Sequence, residues 1–266
     1  MRRSLTFFLM SVATVGVTLA AAAPAGAVSS VHYVALGDSY SSGVGAGNYI
    51  ASSGSCDRSP NAYSALWASA HAPATYNSVA CSGATTSTVN NTQLSALSST
   101  TTLVSITIGG NDVGFSNIME TCVLQGTSAC VAAVQQAENI AQSTLPGLLN
   151  TTYNNIRAHA PNAQVVVLGY PVFYQLGTFC IGLSSTSRAK IDEGINLLDG
   201  ITATAVGQHA NFKFGDVRNI FVGHQLCSGG TKWLHALNFL DITESYHPTA
   251  AGQSGGYLPV FTANVS

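Results

Sequence analysis

The sequence predicts an α/β fold, a three-layer α/β/α sandwich in which helices cover both faces of a sheet of about five parallel strands. Short apolar runs without polar alternation recur along the chain, and helix-like segments separate them. A run of this kind is typical of a strand buried on both faces. Strands that alternate with helices indicate βαβ units, and hence a parallel sheet.

Four apolar runs are predicted to be buried strands, and a fifth run is a weaker candidate. The clearest is Val165-Val166-Val167-Leu168, which has no polar residue and is rich in β-branched side chains. The predicted strands cover residues 32–36, 76–80, 103–108 and 164–168, with 211–214 as the weaker fifth.

Helix-like segments separate these strands, and one more follows the last of them. They cover residues 61–71, 131–159, 187–209 and 249–263. Pro146 lies inside the second segment and should break or kink it, because proline lacks an N–H donor and its ring clashes with the preceding turn. In an open parallel sheet ligands bind at the carboxyl ends of the strands, so the chemistry is expected there.

Residues 1–27 have the three parts of a secretory signal peptide. Arg2-Arg3 precede an apolar run over residues 5–19, and Ala25-Gly26-Ala27 supplies the small residues of a cleavage site. A membrane anchor is the alternative, but the run is short for a span of ~20 residues and no charged stop follows it. We therefore expect a secreted, extracellular protein without a membrane span, whose single domain covers residues 28–266.

The chain contains 6 cysteines, all beyond the predicted leader, and an exported chain favours disulfides. Sequence alone leaves the pairing open, and we favour sequential pairing because short loops close most readily. A zinc site is the alternative, but no Cys-x-x-Cys pair or clustered Cys/His spacing is present, so no metal is expected. The sequential pairs are Cys56–Cys81, Cys122–Cys130 and Cys180–Cys227.

Charged side chains make up only 8% of the chain, and the formal net charge is −2. No basic run is present, which argues against a nucleic-acid partner. A weakly charged surface fits an uncharged or amphipathic substrate.

The tripeptide Gly37-Asp38-Ser39 stands at the end of the first predicted strand. A serine at a strand-to-helix turn has its hydroxyl beside the unpaired N–H groups of the helix N-terminus, which can stabilise a developing anion. Such a serine can also be a simple helix cap, and the tripeptide alone favours that interpretation.

Two further motifs follow the second and third predicted strands. Gly109-Gly110-Asn111-Asp112 places the Asn111 amide where it could donate to an oxyanion. Cys81-Ser82-Gly83-Ala84 could present the backbone N–H of Gly83 to the same point. Ordinary turns are the alternative interpretation of both motifs.

His247 is one of 7 histidines and is singled out by its position. Pro248, directly after it, suits the first position of the last predicted helix. The histidine is therefore expected on a loop just before that helix rather than in the core.

In their order and placement, these motifs make the sequence resemble the SGNH hydrolases, also called the GDSL esterase/lipase family, from about Val34 to Tyr257. The resemblance implies a flavodoxin-like sandwich. It further implies that Ser39 is the nucleophile and His247 the base. The N–H groups of Ser39 and Gly83 and the Asn111 amide would form the oxyanion hole. Similarity over residues 33–43 indicates the secreted actinomycete lipases and phospholipases of this family.

The group that orients His247 stays open between two candidates. Many family members carry an Asp three residues before the histidine, whereas this chain has Glu244, which is one methylene longer and could still reach Nδ1. Some secreted actinomycete members use a main-chain carbonyl, which here would be that of Ser245. We favour the carbonyl, because a backbone C=O can fix the histidine tautomer without a carboxylate.

The resemblance implies a serine ester hydrolase that cleaves lipid esters as a lipase, esterase or phospholipase, with no cofactor. The expected partner is an ester or lipid substrate, met at a lipid–water interface by a monomer. A carbohydrate O-deacetylase of the same fold and a non-catalytic secreted binding module are the alternatives.

Several apolar residues near these motifs could either wall an acyl chain or belong to the core, and we favour the core. They are Phe115, Met119, Trp233, Leu234, Leu237 and Phe239.

Overall fold

The structure, a computed structural model, describes residues 30–266, so the predicted signal peptide over residues 1–27 lies outside the described residues. The described residues form one all-parallel sheet in the order β2-β1-β3-β4-β5, which confirms the predicted fold class. The strands are β1 (His32–Gly37), β2 (Thr75–Ser78), β3 (Leu103–Thr107), β4 (Gln164–Leu168) and β5 (Phe212–Gly215). The strand order reverses between β1 and β3, and ligands of such sheets bind in the crevice at that point.

Helices follow most of the predicted segments. The α-helices are α1 (Ser39–Ser42), α2 (Tyr63–His71), α3 (Thr86–Thr88), α4 (Phe115–Leu124), α5 (Gly126–Ser143), α6 (Leu145–His159), α7 (Ser185–Val206), α8 (Ala250–Gly252) and α9 (Leu258–Asn264). Short 3₁₀ turns lie at Ala51–Cys56 and Leu94–Ala96, and π-type turns at Val89–Gln93 and Gln253–Tyr257. The last of these joins α8 to α9.

The break predicted at Pro146 is present, since α5 ends at Ser143 and α6 begins at Leu145. Pro146 lies in the first turn of α6, where an N–H has no intrahelical partner and its loss is harmless. Helix α4 was not predicted. Its N-cap is Gly114, with φ of 84° and no side-chain cap, so the usual start signal of a helix is missing from the sequence.

The sheet is buried between two helical layers. Every residue of β3 and β4 is buried, as their unbroken apolar character predicts. Helices α5, α6 and α7 pack together, and α2 packs with α9. Among the described residues, no helix is long and apolar enough to cross a membrane.

Three disulfides are present, one of which joins α4 to α5. They join Cys56 to Cys81, Cys122 to Cys130, and Cys180 to Cys227, which is the sequential pairing.

The apolar segment ahead of His247 only partly belongs to the core. Leu234 is buried, and Trp233 and Leu237 pack against the core as partly buried residues. Phe239 is 72% exposed, so the prediction that it belongs to the core is wrong. It lies in a loop without helix or strand.

Candidate active site

Ser39 is the first residue of α1, and one residue separates it from the end of β1 at Gly37. Asp38, between them, is the N-cap of α1, and its carboxylate accepts the N–H of Tyr40 at 3.0 Å. This bond satisfies an N–H that the helix itself cannot pair. Within residues 30–266 the N–H of Ser39 has no acceptor, so it can donate to a ligand.

The buried carboxylate of Asp38 also ties the start of α1 to two neighbouring segments. Its Oδ1 accepts the hydroxyl of Thr107 at the end of β3, and its Oδ2 accepts the hydroxyl of Tyr170. Burial raises the pKa of Asp38 to about 6, while the bonds from Thr107 and Tyr170 lower it. These contacts hold Ser39 at the crevice between β1 and β3.

The imidazole of His247 reaches the hydroxyl of Ser39. Its Nε2 lies 2.7 Å from Ser39 Oγ, although the two residues are 208 positions apart in sequence. Burial lowers the pKa of His247 to about 4, the main-chain carbonyls of Ser245 and Thr243 raise it, and His235 lowers it further. A neutral imidazole at this distance can accept the serine proton.

A strained residue sets the position of His247. Tyr246 has φ of 66°, a left-handed conformation that is uncommon outside glycine. The hydroxyl of Tyr40 donates to the Tyr246 carbonyl at 2.8 Å, and Phe173 stacks on the Tyr246 ring at 5.5 Å. These contacts hold the turn that directs the next side chain towards Ser39.

The two candidates for orienting His247 lie in different places. The main-chain carbonyls of Ser245 and Thr243 both raise the pKa of His247, and Nδ1 has no hydrogen-bond partner among the described residues. The carboxylate of Glu244 instead accepts the Tyr49 hydroxyl at 2.5 Å and lies 4.0 Å from His235 Nε2. Within residues 30–266 the Glu244 carboxylate therefore makes its contacts away from His247, which leaves a main-chain carbonyl as the candidate.

The other two motifs contact each other, and one of them is bonded to the end of β1. The Asn111 amide donates to the Ala84 carbonyl at 3.0 Å, directly after Gly83. An amide carries two N–H donors, so one remains for a ligand. Gly83 has φ of 75°, and its N–H has no acceptor within residues 30–266. The Cys81 N–H donates to the Gly37 carbonyl at 3.0 Å, which fixes the Gly83 turn against the end of β1.

Sequence reasoning missed three residues that shape this site. Asp38 stands where an N-cap is expected, so the capping signal could have identified its role. Tyr246 and Gly45 carry no local signal. A Cβ added to Gly45 would lie 2.7 Å from the Pro248 carbonyl and 3.1 Å from His247 Cβ, a contact across the chain that only the fold reveals.

One further serine fits a catalytic pattern by sequence alone. Gly252-Gln253-Ser254-Gly255-Gly256 matches the G-x-S-x-G string of a nucleophile elbow. An elbow requires a strand-to-helix turn, whereas this string lies within the helical segment that joins α8 to α9, and Ser254 is exposed. Ser254 is therefore a useful control for Ser39.

The site contains a buried serine hydroxyl within hydrogen-bond distance of an imidazole, and free N–H donors lie at the same edge of the parallel sheet. This arrangement is found in serine hydrolases. Fold and site together thus define the class of protein.

Comparisons with known proteins give the family. The GDSL-like Lipase/Acylhydrolase family matches residues 35–254. Lipase 1 of Streptomyces coelicolor is 59% identical over 228 residues, which cover 86% of this chain and 84% of that protein. Two solved structures each superpose with a TM-score of 0.86 over 88% of this chain. One is phospholipase A1 from Streptomyces albidoflavus, which is 52% identical, and the match covers 98% of that chain. The other is an extracellular lipase from Streptomyces rimosus, which is 53% identical, and the match covers 100% of that chain.

The chain belongs to the GDSL-like lipase/acylhydrolase family and is a carboxylic ester hydrolase.

Proposed function

We propose that this protein is a secreted lipase that hydrolyses carboxylic esters of lipids, with Ser39 as the nucleophile and His247 as the general base. The observation that carries the proposal is the 2.7 Å contact between His247 Nε2 and Ser39 Oγ. The similar Streptomyces proteins are named as lipases and a phospholipase A1, which supports lipid esters as the substrate class.

The reaction is a two-step acyl transfer. His247 takes the Ser39 proton while Oγ attacks the ester carbonyl, and the oxyanion accepts hydrogen bonds from Ser39 N–H, Gly83 N–H and Asn111 Nδ2. The tetrahedral intermediate expels the alcohol, which leaves with the proton from Nε2. Water then attacks the acyl-enzyme by the same route, releasing the carboxylic acid and restoring the serine.

Nδ1 of His247 carries its proton towards the Ser245 carbonyl in this proposal. A carbonyl acceptor keeps Nε2 free of its proton, and therefore basic, in the tautomer that faces Ser39. Glu244 has a different role, since its bond to Tyr49 holds the loop before His247.

Secretion belongs to the same proposal. Residues 1–27 would be removed as a signal peptide, leaving a single-domain monomer over residues 28–266 that meets its substrate at a lipid–water interface. Three disulfides and the extracellular lipase of Streptomyces rimosus support export.

An ester panel tests the proposal. The purified chain, without residues 1–27, is assayed on a triacylglycerol, a phosphatidylcholine and an acetylated polysaccharide. We expect turnover of the lipid esters, loss of that turnover in Ser39→Ala, and retention in the control Ser254→Ala. Cleavage of the polysaccharide ester alone would instead identify a carbohydrate deacetylase, and full activity of Ser39→Ala would reject the nucleophile.

A further inference from the structure

His235 pairs through its main chain with the segment that carries His247. The His235 N–H donates to the His247 carbonyl at 2.9 Å, and the Tyr246 N–H donates to the His235 carbonyl at 2.9 Å. Residues 236–245 therefore form a loop whose two ends meet beside the proposed base. These two bonds fix the backbone of His247 and leave the side chain of His235 free for a second contact.

The side chain of His235 binds the segment that follows the proposed nucleophile. Its Nε2 lies 2.7 Å from the Gly45 carbonyl, an acceptor that requires the proton on Nε2. Gly45 comes directly after Val44, whose N–H donates to the Ser39 carbonyl at 3.0 Å. The His235 ring is thus bound to the turn that ends α1.

Both histidines pack against Gly45. A Cβ added there would lie 3.0 Å from His235 Cδ2 and 3.1 Å from His247 Cβ, and the φ of 86° favours glycine. The segment after Ser39 is therefore in close contact with both imidazole side chains.

The N–H of Gly45 is held as well as its carbonyl. It donates to the Tyr49 hydroxyl at 2.9 Å, and that hydroxyl donates to Glu244 Oε1 at 2.5 Å. Glu244 Oε2 lies 4.0 Å from His235 Nε2, so these contacts form a ring around the Gly45 backbone. The titratable groups in these contacts with His235 are Glu244, Tyr49 and His247.

We propose that His235 is a positioning residue that holds the base against the nucleophile. Its ring holds the segment after Ser39, and its main chain holds the segment of His247. The inference rests on the proposed function and adds to it a residue that acts through Gly45 and the paired backbone. Because a misplacement of about 1 Å can cost ~10²-fold in rate, a bond that fixes both segments has a large effect on turnover.

Glutamine and asparagine at position 235 separate reach from polarity. The Nε2 of Gln is as many bonds from the backbone as the Nε2 of His, so Gln can donate to the Gly45 carbonyl. Asn has the same amide but is one methylene shorter, so it cannot reach that acceptor. His224 provides the matched control, because it is also half-buried and its Nδ1 lies 2.7 Å from the Thr231 carbonyl.

The test measures kcat and KM for a soluble p-nitrophenyl ester in the wild type, His235→Asn, His235→Gln and His224→Asn. We expect His235→Asn to lower kcat by ~10–100-fold with KM within about threefold, since positioning acts on the chemical step. His235→Gln should restore kcat to within about threefold of the wild type. His224→Asn should match the wild type.

The pH profile gives a readout that a purely structural role would leave unchanged. Burial is the main cause of the lowered pKa of His247, and the charge of His235 lowers it further. Gln carries no charge, so the acidic limb of kcat/KM should lie at higher pH in His235→Gln than in the wild type, although kcat is restored. The limb of His224→Asn should coincide with that of the wild type.

Wild-type kcat in His235→Asn, an equal loss in His235→Gln or His224→Asn, or an unmoved limb in His235→Gln would overturn the inference. Failure of the proposed function is different, because the wild type would then not hydrolyse the ester or Ser39→Ala would retain full activity. If His235→Asn does not fold, proton NMR of the wild type decides. It should show a slowly exchanging imidazole N–H that is missing in His235→Gln, and the absence of that signal would overturn the inference.

Discussion

The Asn111 amide shows how one side chain can serve structure and chemistry together. One of its N–H groups donates to the Ala84 carbonyl at 3.0 Å, while the second is free for the oxyanion. The Ala84 bond fixes the direction of the second donor, so that it needs no rearrangement during the reaction.

Replacing this amide separates the two roles. We expect Asn111→Ala to lower kcat by ~10²–10³, as for the loss of one oxyanion donor. The lost bond to Ala84 should reduce the free energy of unfolding by only about 1 kcal/mol. Steady-state kinetics and urea unfolding on the same preparation measure both quantities. An unchanged kcat would exclude Asn111 from the oxyanion hole.

The burial of the His247 imidazole predicts how activity depends on pH. Burial lowers the pKa of His247 to about 4, and only the neutral form can accept the serine proton. Activity is therefore present above this pKa and is lost as the pH falls through it, well below the ordinary histidine value of ~6.5. The profile of log kcat/KM against pH, measured on a soluble ester, should show its acidic limb near pH 4 to 5. An acidic limb at pH 6.5 or above would contradict the buried, neutral base.

At the scale of elements, the strands were predictable because their signal is local. The apolar runs of β3 and β4 are buried on both faces, so composition alone reveals them. Helix α4 escaped prediction because Gly114 provides no capping side chain. The Tyr246 turn was not predicted, for a different reason. Its left-handed backbone is stabilised by Tyr40 and Phe173, which are distant in sequence.

The loop before His247 gives a second test at this scale. If the Ser245 carbonyl orients the imidazole, Glu244→Gln should keep kcat within about threefold, because Gln can still accept the Tyr49 hydroxyl. If the carboxylate were the orienting group, kcat would fall by a factor approaching 10⁴. Steady-state kinetics of Glu244→Gln decide between the carbonyl and the carboxylate. The control is Asp241→Asn, which changes an exposed acid in the same loop.

For the whole molecule, buried carboxyl groups couple stability to pH. Burial raises the pKa of Asp199 to about 8, while the bond from the Tyr170 N–H and the charge of Arg218 lower it. Burial likewise raises the pKa of Asp192 to about 7. Folding favours the protonated form of both carboxyl groups. Their contribution to the free energy of unfolding is therefore fully present below ~pH 4, and it is lost as the pH rises through their folded-state pKa values.

Asp199→Asn should flatten this dependence. Asn can keep an acceptor for the Tyr170 N–H, which lies 2.9 Å from Oδ1, and it cannot ionise. We expect the drop in unfolding free energy between pH 5 and pH 9 to be smaller in Asp199→Asn than in the wild type or in Asp241→Asn. Urea unfolding at the two pH values provides the measurement, and equal drops in all three proteins would contradict the account.

The site as a whole was predictable as a set of motifs but not as a geometry. Sequence placed Ser39, Gly83 and Asn111 after successive strands, and a parallel sheet gathers such positions at one edge. The hydrogen bond between Tyr170 and Asp38 and the close approach of Gly45 to His247 join segments far apart in the chain, and no local pattern encodes such contacts.

The most direct test of the central claim is the residue that a fluorophosphonate probe modifies. The probe reacts with a serine only when a base activates it and an oxyanion hole receives the phosphoryl oxygen. Peptide mapping by mass spectrometry should find one adduct, on Ser39, with labelling strongly slowed in His247→Gln and unchanged in Ser254→Ala. An adduct on another serine, or no adduct on the folded wild-type protein, would contradict the account.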